Sequence, residues 1–217
     1  MAELRTEEEQ VQAIKDWWKK NGSSLLIGIG AALAIVFGWQ GWQSHQDQQR
    51  AEAANQFTTL LSAFTASDES SDETVAFVAE TLRNEHATSA YAIYGNLVLA
   101  RQQMAEQNDP EAAAESLQWA LDQAKDYQAL SLVIRNRLAR AQFAAGQNEV
   151  ALKTLESAGE ADAFTAIFSE LRGDILMAMG DTEGARKAYL DAREQGQQGN
   201  GGLLELKLSD LGVGEGA

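Results

Sequence analysis

Chemistry in this chain would have to come from few side chains. His45 and His86 are the only imidazoles among 217 residues, and cysteine is absent. Neither histidine has a second at i+3 or i+4, the spacing that sets two ligands on one helical face, so no metal centre is expected. Without cysteine there is no thiol nucleophile, no Cys-ligated zinc, no iron–sulfur cluster and no disulfide scaffold. Glu69, Asp72, Glu73, Glu156 and Glu160 fall at predicted turns or polar faces and read as solvated surface. The motifs GxxxxGK(S/T), GxSxG, HExxH and the EF-hand loop are missing, and GVGEG near the end has no helix behind it to hold a phosphate. No catalytic residue and no cofactor is expected.

The elements that remain must therefore work by binding. The formal charge is −15, from 32 acidic against 17 basic residues, and a sequence-independent grip on nucleic acid needs the opposite sign. One proline argues against Pro-rich linkers and most tight-turned β folds. The mean hydropathy of −0.31 suits a soluble protein, but it conceals one segment. Between Lys20 and Asp47 no charged side chain occurs. Its core, SSLLIGIGAALAIVFGWQGW from Ser23 to Trp42, would span ~30 Å as a helix, the thickness of a hydrocarbon core.

Trp17 and Trp18 precede this segment, and Trp39 and Trp42 close it, as interfacial aromatic belts do. Lys15, Lys19 and Lys20 flank one side and only Arg50 the other, so the positive-inside rule puts the N-terminus in the cytoplasm. A cleaved signal peptide would have a shorter apolar run and small residues at its exit, whereas GWQGWQSHQ is bulky. An uncleaved signal anchor is expected at 23–43. Gly30, Ala34, Gly38 and Gly41 make a smooth strip on it, either a helix-packing surface or the ordinary Gly and Ala content of membrane helices. The head, residues 1–22, reads as an amphipathic helix capped by Thr6 with Glu9 and ended by Asn21-Gly22.

Beyond the anchor, helical periodicity runs through 47–65, 72–85, 88–107, 110–124, 128–145, 148–157, 163–179 and 182–195. Turn signals separate them: Ser67-Asp68-Glu69-Ser70-Ser71, Asn108-Asp109-Pro110, Gly146-Gln147-Asn148, Ala158-Gly159 and Gly180-Asp181. Gly146, Ala151, Leu155 and Ala158 recur 34 residues later as Gly180, Ala185, Tyr189 and Ala192. Asn108, Ala113, Leu117 and Ala120 fit the same template with a longer loop. Thirty-four residues is the tetratricopeptide period, and Ala139 and Gly173 occupy that repeat's small position in the first helix of each pair.

The fold class is thus all-α: one membrane helix, then a tetratricopeptide-like solenoid of helical hairpins over 44–195. Residues 51–85, with Phe57, Leu60, Leu61, Phe64, Val75, Phe77, Val78 and Leu82, should cap one end. In 196–217, a Gly-rich stretch leads to a short helix around Leu203, Leu204, Leu206, Leu208 and Leu211 that could cover the last repeat. The GVGEGA tail is expected to be disordered. The resemblance to tetratricopeptide arrays implies a groove lined by first helices. It maps onto Val133, Asn136, Arg140 and Phe143, then Ile167, Glu170, Asp174 and Met177. For the charged members the alternative is plain solubility; for Phe143 and Met177 it is packing between repeats.

The opening EEEQVQAIKDWWKKNG, the anchor with its GWQGW exit and the segment LRGDILMAMGDTEGARKAYLDA resemble the YfgM family, ancillary subunits of the bacterial SecYEG translocon. The resemblance covers nearly the whole chain but lapses at the Gly-rich stretch and tail. It implies an inner-membrane protein with a periplasmic repeat domain, associated with SecYEG and the periplasmic chaperone PpiD, that helps pass unfolded secretory proteins onward. A generic anchored scaffold for envelope assembly or regulation is the alternative reading. Residues 1–20 carry four basic against five acidic groups, and those from Asp47 onward thirteen against twenty-seven. The acidity belongs to the outer domain, which anionic headgroups would repel.

Overall fold

A computed structural model describes residues 7–66, 69–159, 161–196 and 201–213. The Thr6 cap and the last four residues of the GVGEGA tail lie outside them. The all-α expectation is confirmed: the described residues form helices α1 (Glu7–Ala66), α2 (Glu69–Glu85), α3 (Ala90–Ala105), α4 (Pro110–Gln123), α5 (Gln128–Ala144), α6 (Asn148–Glu156), α7 (Thr165–Ala178), α8 (Thr182–Gln195) and α9 (Gly201–Asp210). A single 3-10 turn at Asp162–Phe164 leads into α7. Two compact units divide the chain, Met1–Ala51 and Glu52–Ala217.

The described residues of the first unit are helix alone. Three acids, Glu7, Glu8 and Glu9, occupy the first turn of α1, where the helix dipole favours them. The expected stop at Asn21-Gly22 does not occur; α1 runs through it. Asn21 turns its amide back onto its own helix, donating to the Trp17 carbonyl at 3.0 Å. The Trp18 indole lies over Gly22, 3.2 Å from where a Cβ would sit. Those contacts and the apolar residues beyond outweigh the ~1 kcal/mol that glycine costs in a helix.

α1 is long and apolar enough to cross a membrane. Within 23–42 its apolar side chains face outward on all sides, with Ile27 and Ile35 each 73% exposed and Phe37 64%. Such a surface in water would cost about 25 cal/mol per Å2, so lipid is its natural solvent.

In the second unit the repeats appear as three hairpins, α3–α4, α5–α6 and α7–α8. The three template positions Asn108, Gly146 and Gly180 all adopt left-handed backbone, with φ of 52°, 75° and 83°. Each follows a first helix and reverses the chain. After two of them, Gln147 N–H donates to the Gln142 carbonyl at 2.8 Å and Asp181 N–H to that of Leu176 at 2.9 Å, closing Schellman caps. Asp109 then caps α4 ahead of Pro110, its carboxylate accepting from Ala112 N–H at 3.0 Å.

The small template residues are where the helices meet. Ala113, Ala120, Ala139, Ala151 and Ala185 are fully buried, with Leu117, Leu155 and Tyr189 beside them; Ala158 is half-buried. One apolar cluster joins α3, α4 and α5, and a second joins α5, α6 and α7, so α5 belongs to both. Sharing a helix between successive clusters makes the array continuous rather than three separate pairs.

The N-terminal cap is built from Ala53, Leu60, Val75, Val78, Ala79, Leu82 and Ala92. Two residues expected in it face outward instead: Phe77 is 69% exposed and Leu61 39%. Val75, Val78, Ala79 and Leu82 follow the i, i+3, i+4, i+7 stripe of α2, and Phe77 falls off it. Glu69, Ser70 and Ser71 belong to α2 rather than to a turn, while Ser67 and Asp68 lie outside the described residues. Asp72 is not merely solvated: it accepts from the amide of buried Gln102 on α3.

Helix α9 covers the last repeat. Leu204 and Leu208 are buried among Ala185, Tyr189 and Ala192, whereas Leu203 and Leu206 are exposed. Gly212, with φ of 76°, ends it, and Val213 N–H donates back to the Leu208 carbonyl at 3.0 Å.

Candidate partner-binding surface

First helices α5 and α7 carry the eight mapped groove residues, and each helix treats its four differently. On α5, Asn136 is buried, and its Oδ1 accepts from Arg140 Nε at 3.1 Å while its Nδ2 has no hydrogen-bond partner. The Arg140 guanidinium is exposed. Val133 is half-buried, and Phe143 packs on the cluster shared by α5, α6 and α7. On α7, Ile167 packs on that same cluster, whereas Met177 is 44% exposed.

Glu170 and Asp174, one turn apart on α7, converge on a cation. Lys207 of α9 places its Nζ 2.8 Å from Glu170 and 2.7 Å from Asp174. The Tyr189 hydroxyl donates to Asp174 at 2.9 Å, and the ammonium lies 5.5 Å from the centre of the Tyr189 ring. Burial by itself would lower the Lys207 pKa, but its hydrogen bonds to Asp174 and Glu170, and their charges, raise it above the ordinary lysine value. Burial, the Asp174 hydrogen bond and the two negative charges likewise push the Tyr189 phenol well above its usual range. The α7 acids thus hold an intramolecular ligand.

The structure adds residues that the groove mapping did not include. Arg101 on α3 and Arg137 on α5 stand with Arg140 around a pocket of about 320 Å3, floored by Leu97, Ala100 and Met104 of α3 and Leu117 of α4. A legible signal was present. Helices α3 and α5 contain Arg101, Arg135, Arg137 and Arg140 and no Asp or Glu, within a domain that is otherwise strongly acidic. Lys207 offered no comparable clue, since its partners lie far off in sequence. Groups of three or more His, Asp or Glu able to hold a metal do not occur among the described residues.

In the membrane segment, Gly30, Ala34, Gly38 and Gly41 leave an open strip. A Cβ at Gly30, Gly38 or Gly41 would meet nothing within 4 Å, and Ala34 is exposed.

Comparison with known proteins agrees with this architecture. Residues 15–213 match a family model described as a tetratricopeptide repeat-like domain. A Haemophilus influenzae protein named ancillary SecYEG translocon subunit is 31% identical over 211 residues, covering 97% of this chain and all of its own length. The protein of that name from Escherichia coli K12 is 31% identical over 208 residues, covering 95% of this chain and 97% of that one. Its namesake from Aggregatibacter actinomycetemcomitans reaches 33% over 211 residues, with 97% and 100% covered. The match takes in the anchor and the repeats together, as the resemblance to the YfgM family implied, and the chain belongs to the family of ancillary SecYEG translocon subunits with a tetratricopeptide repeat-like domain.

Proposed function

We propose that this chain is a non-enzymatic adaptor at the SecYEG translocon, held in the bacterial inner membrane by α1. Its periplasmic helical array binds a periplasmic chaperone such as PpiD, emerging unfolded secretory proteins, or both, and aids their transfer. One observation carries the reading: similarity to the ancillary subunits runs end to end, with the apolar helix and the repeats in one match. Lys15, Lys19 and Lys20 before the span, against Arg50 after it, support a cytoplasmic N-terminus. The exposed strip of Gly30, Ala34, Gly38 and Gly41 is the face we assign to a neighbouring membrane helix, since close backbone approach drives helix association in lipid. Val133, Asn136, Arg140, Phe143, Ile167, Glu170, Asp174 and Met177 are the positions we assign to the partner groove.

Affinity purification of the full chain in mild detergent should recover SecYEG; recovery of cell-wall or regulatory proteins alone would overturn the assignment. Photocrosslinkers at the groove positions should trap a chaperone or a secretory chain. In spheroplasts, external protease should remove the helical array, and its protection would reverse the topology. Ala34→Ile with Gly38→Ile should cut a membrane-embedded crosslink to the translocon at least tenfold while leaving insertion intact. An unchanged crosslink would remove the strip from the interface.

A further inference from the structure

We infer that the pocket between α3 and α5 is a docking site for an acidic, apolar segment of a partner protein. One large apolar side chain would enter the pocket, and carboxylates on either side of it would meet Arg101, Arg137 and Arg140. This rests on reading the array as a partner-binding surface and names the chemistry of what it binds.

Size, charge and composition all point the same way. A cavity of about 150 Å3 already accepts a benzene ring, so the 320 Å3 here takes a Phe or Leu side chain with room to spare. Its floor is aliphatic and thioether, and its rim is three guanidinium groups with no carboxylate among the lining residues. Arg101 lies 5.2 Å from the centre of the Phe64 ring, a contact that holds its fork in place. The bond from Arg140 to Asn136 uses Nε, which leaves both terminal nitrogens for a ligand. Arg137 is exposed.

In a domain with thirteen basic against twenty-seven acidic residues, the three arginines of this rim, on two successive first helices that carry no Asp or Glu, form a local exception. Such segregation guides an acidic partner to one spot and turns it away elsewhere. Guanidinium forks bind carboxylates in two-pronged fashion, which adds direction to the attraction. A bare phosphate would use the arginines but leave the four apolar side chains beneath them without a role.

The test uses the full chain in nanodiscs of zwitterionic lipid and a fluorescent peptide in which a phenylalanine is flanked on both sides by glutamates. Binding should be saturable and weaken as salt rises. Arg137→Glu with Arg140→Glu should weaken it roughly tenfold or more, while Arg137→Lys costs about threefold at most. The doubly reversed chain should in turn prefer a second peptide whose phenylalanine is flanked by lysines, a rescue that a misfolded variant could not produce.

Equal affinity for the glutamate- and lysine-flanked peptides would overturn the inference, as would indifference to the double reversal. Displacement of the peptide by equimolar glycerol phosphate would reassign the arginines to a phosphate group and overturn it too. Co-purification of SecYEG from the same preparations separates the two levels. If SecYEG is recovered and the peptide does not bind, this inference falls alone; if SecYEG is lost from the wild-type chain, the adaptor reading falls.

Discussion

Gly173→Val should destabilise the helical array by about 3 kcal/mol, an effect at the upper end for overpacking a core. Glycine inside a helix ordinarily costs about 1 kcal/mol relative to alanine, so substitution there usually helps. At Gly173 the sign reverses. A Cβ would stand 2.3 Å from Cε1 and 2.4 Å from Cδ1 of Tyr189, well inside contact distance. The ring has nowhere to go: it is 3% exposed, its hydroxyl is held by Asp174 at 2.9 Å, and Leu204 and Leu208 pack in the same cluster.

Yielding would mean parting α7 from α8 or breaking the Tyr189–Asp174–Lys207 contacts. For a domain of this size, 3 kcal/mol corresponds to roughly 6–12 °C in Tm. Thermal unfolding followed by circular dichroism checks this, and an unchanged or higher Tm would refute the packing argument. The clash also predicts strong coupling. In a Tyr189→Ala background, where the ring is gone, Gly173→Ala should cost little, and the double-mutant cycle should show at least 1 kcal/mol of interaction.

Gly173 also shows how much of the fold the residues announce. Its small size was visible one period after Ala139, and the left-handed Asn108, Gly146 and Gly180 marked three helix ends. Local steric rules govern such positions, so a linear pattern suffices to find them. The anchor was equally plain, because bilayer thickness sets a length and a composition. Three failures have physical causes. Asn21-Gly22 carries a breaker signal, which contacts to Trp17 and Trp18 override. Phe77 is apolar but lies off the buried stripe of its helix, and a residue count does not weigh direction. Lys207 reaches Glu170 and Asp174 only because α9 packs back on the last repeat. No periodicity encodes that return.

The groove shared this mixture. Its eight expected positions were mapped from the resemblance to tetratricopeptide arrays, which does not tell which of them are free. Phe143 and Ile167 turn out to pack between repeats, Glu170 and Asp174 are ion-paired, and Arg140 keeps its terminal nitrogens available. The basic pocket was readable as two helices with arginine and no acid, yet only the fold shows that Arg101 and Arg137 share one rim.

Lys207→Glu should free α9 from the last repeat. The wild-type ammonium neutralises two carboxylates, and the three side chains are only 21–24% exposed. Reversing its charge sets three acids together and removes the cation over the Tyr189 ring. Allowing for the solvent that still reaches these groups, the expected cost is about 2 kcal/mol, enough to open α9 in a sizeable fraction of molecules. Amide hydrogen exchange in α9 should accelerate at least tenfold, with α3 to α6 unaffected.

The same contact sets a pH limit. The folded pKa of Lys207 is raised, so the stabilisation is complete below the ordinary lysine value near pH 10.4 and is lost as pH climbs through the folded value. Tyr189 acts in the same direction, because ionisation of its phenol, ordinarily near pH 10, is opposed in the folded state by burial and by Asp174. Protection of α9 should therefore be level between pH 7 and 9 and fall above about pH 10. Unchanged protection at pH 11, or in Lys207→Glu, would show that Leu204 and Leu208 hold the helix without the ion pair. Release of α9 would in turn uncover Glu170 and Asp174, so a basic ligand at those groove positions must compete with Lys207, whereas an acidic one at Arg137 and Arg140 need not.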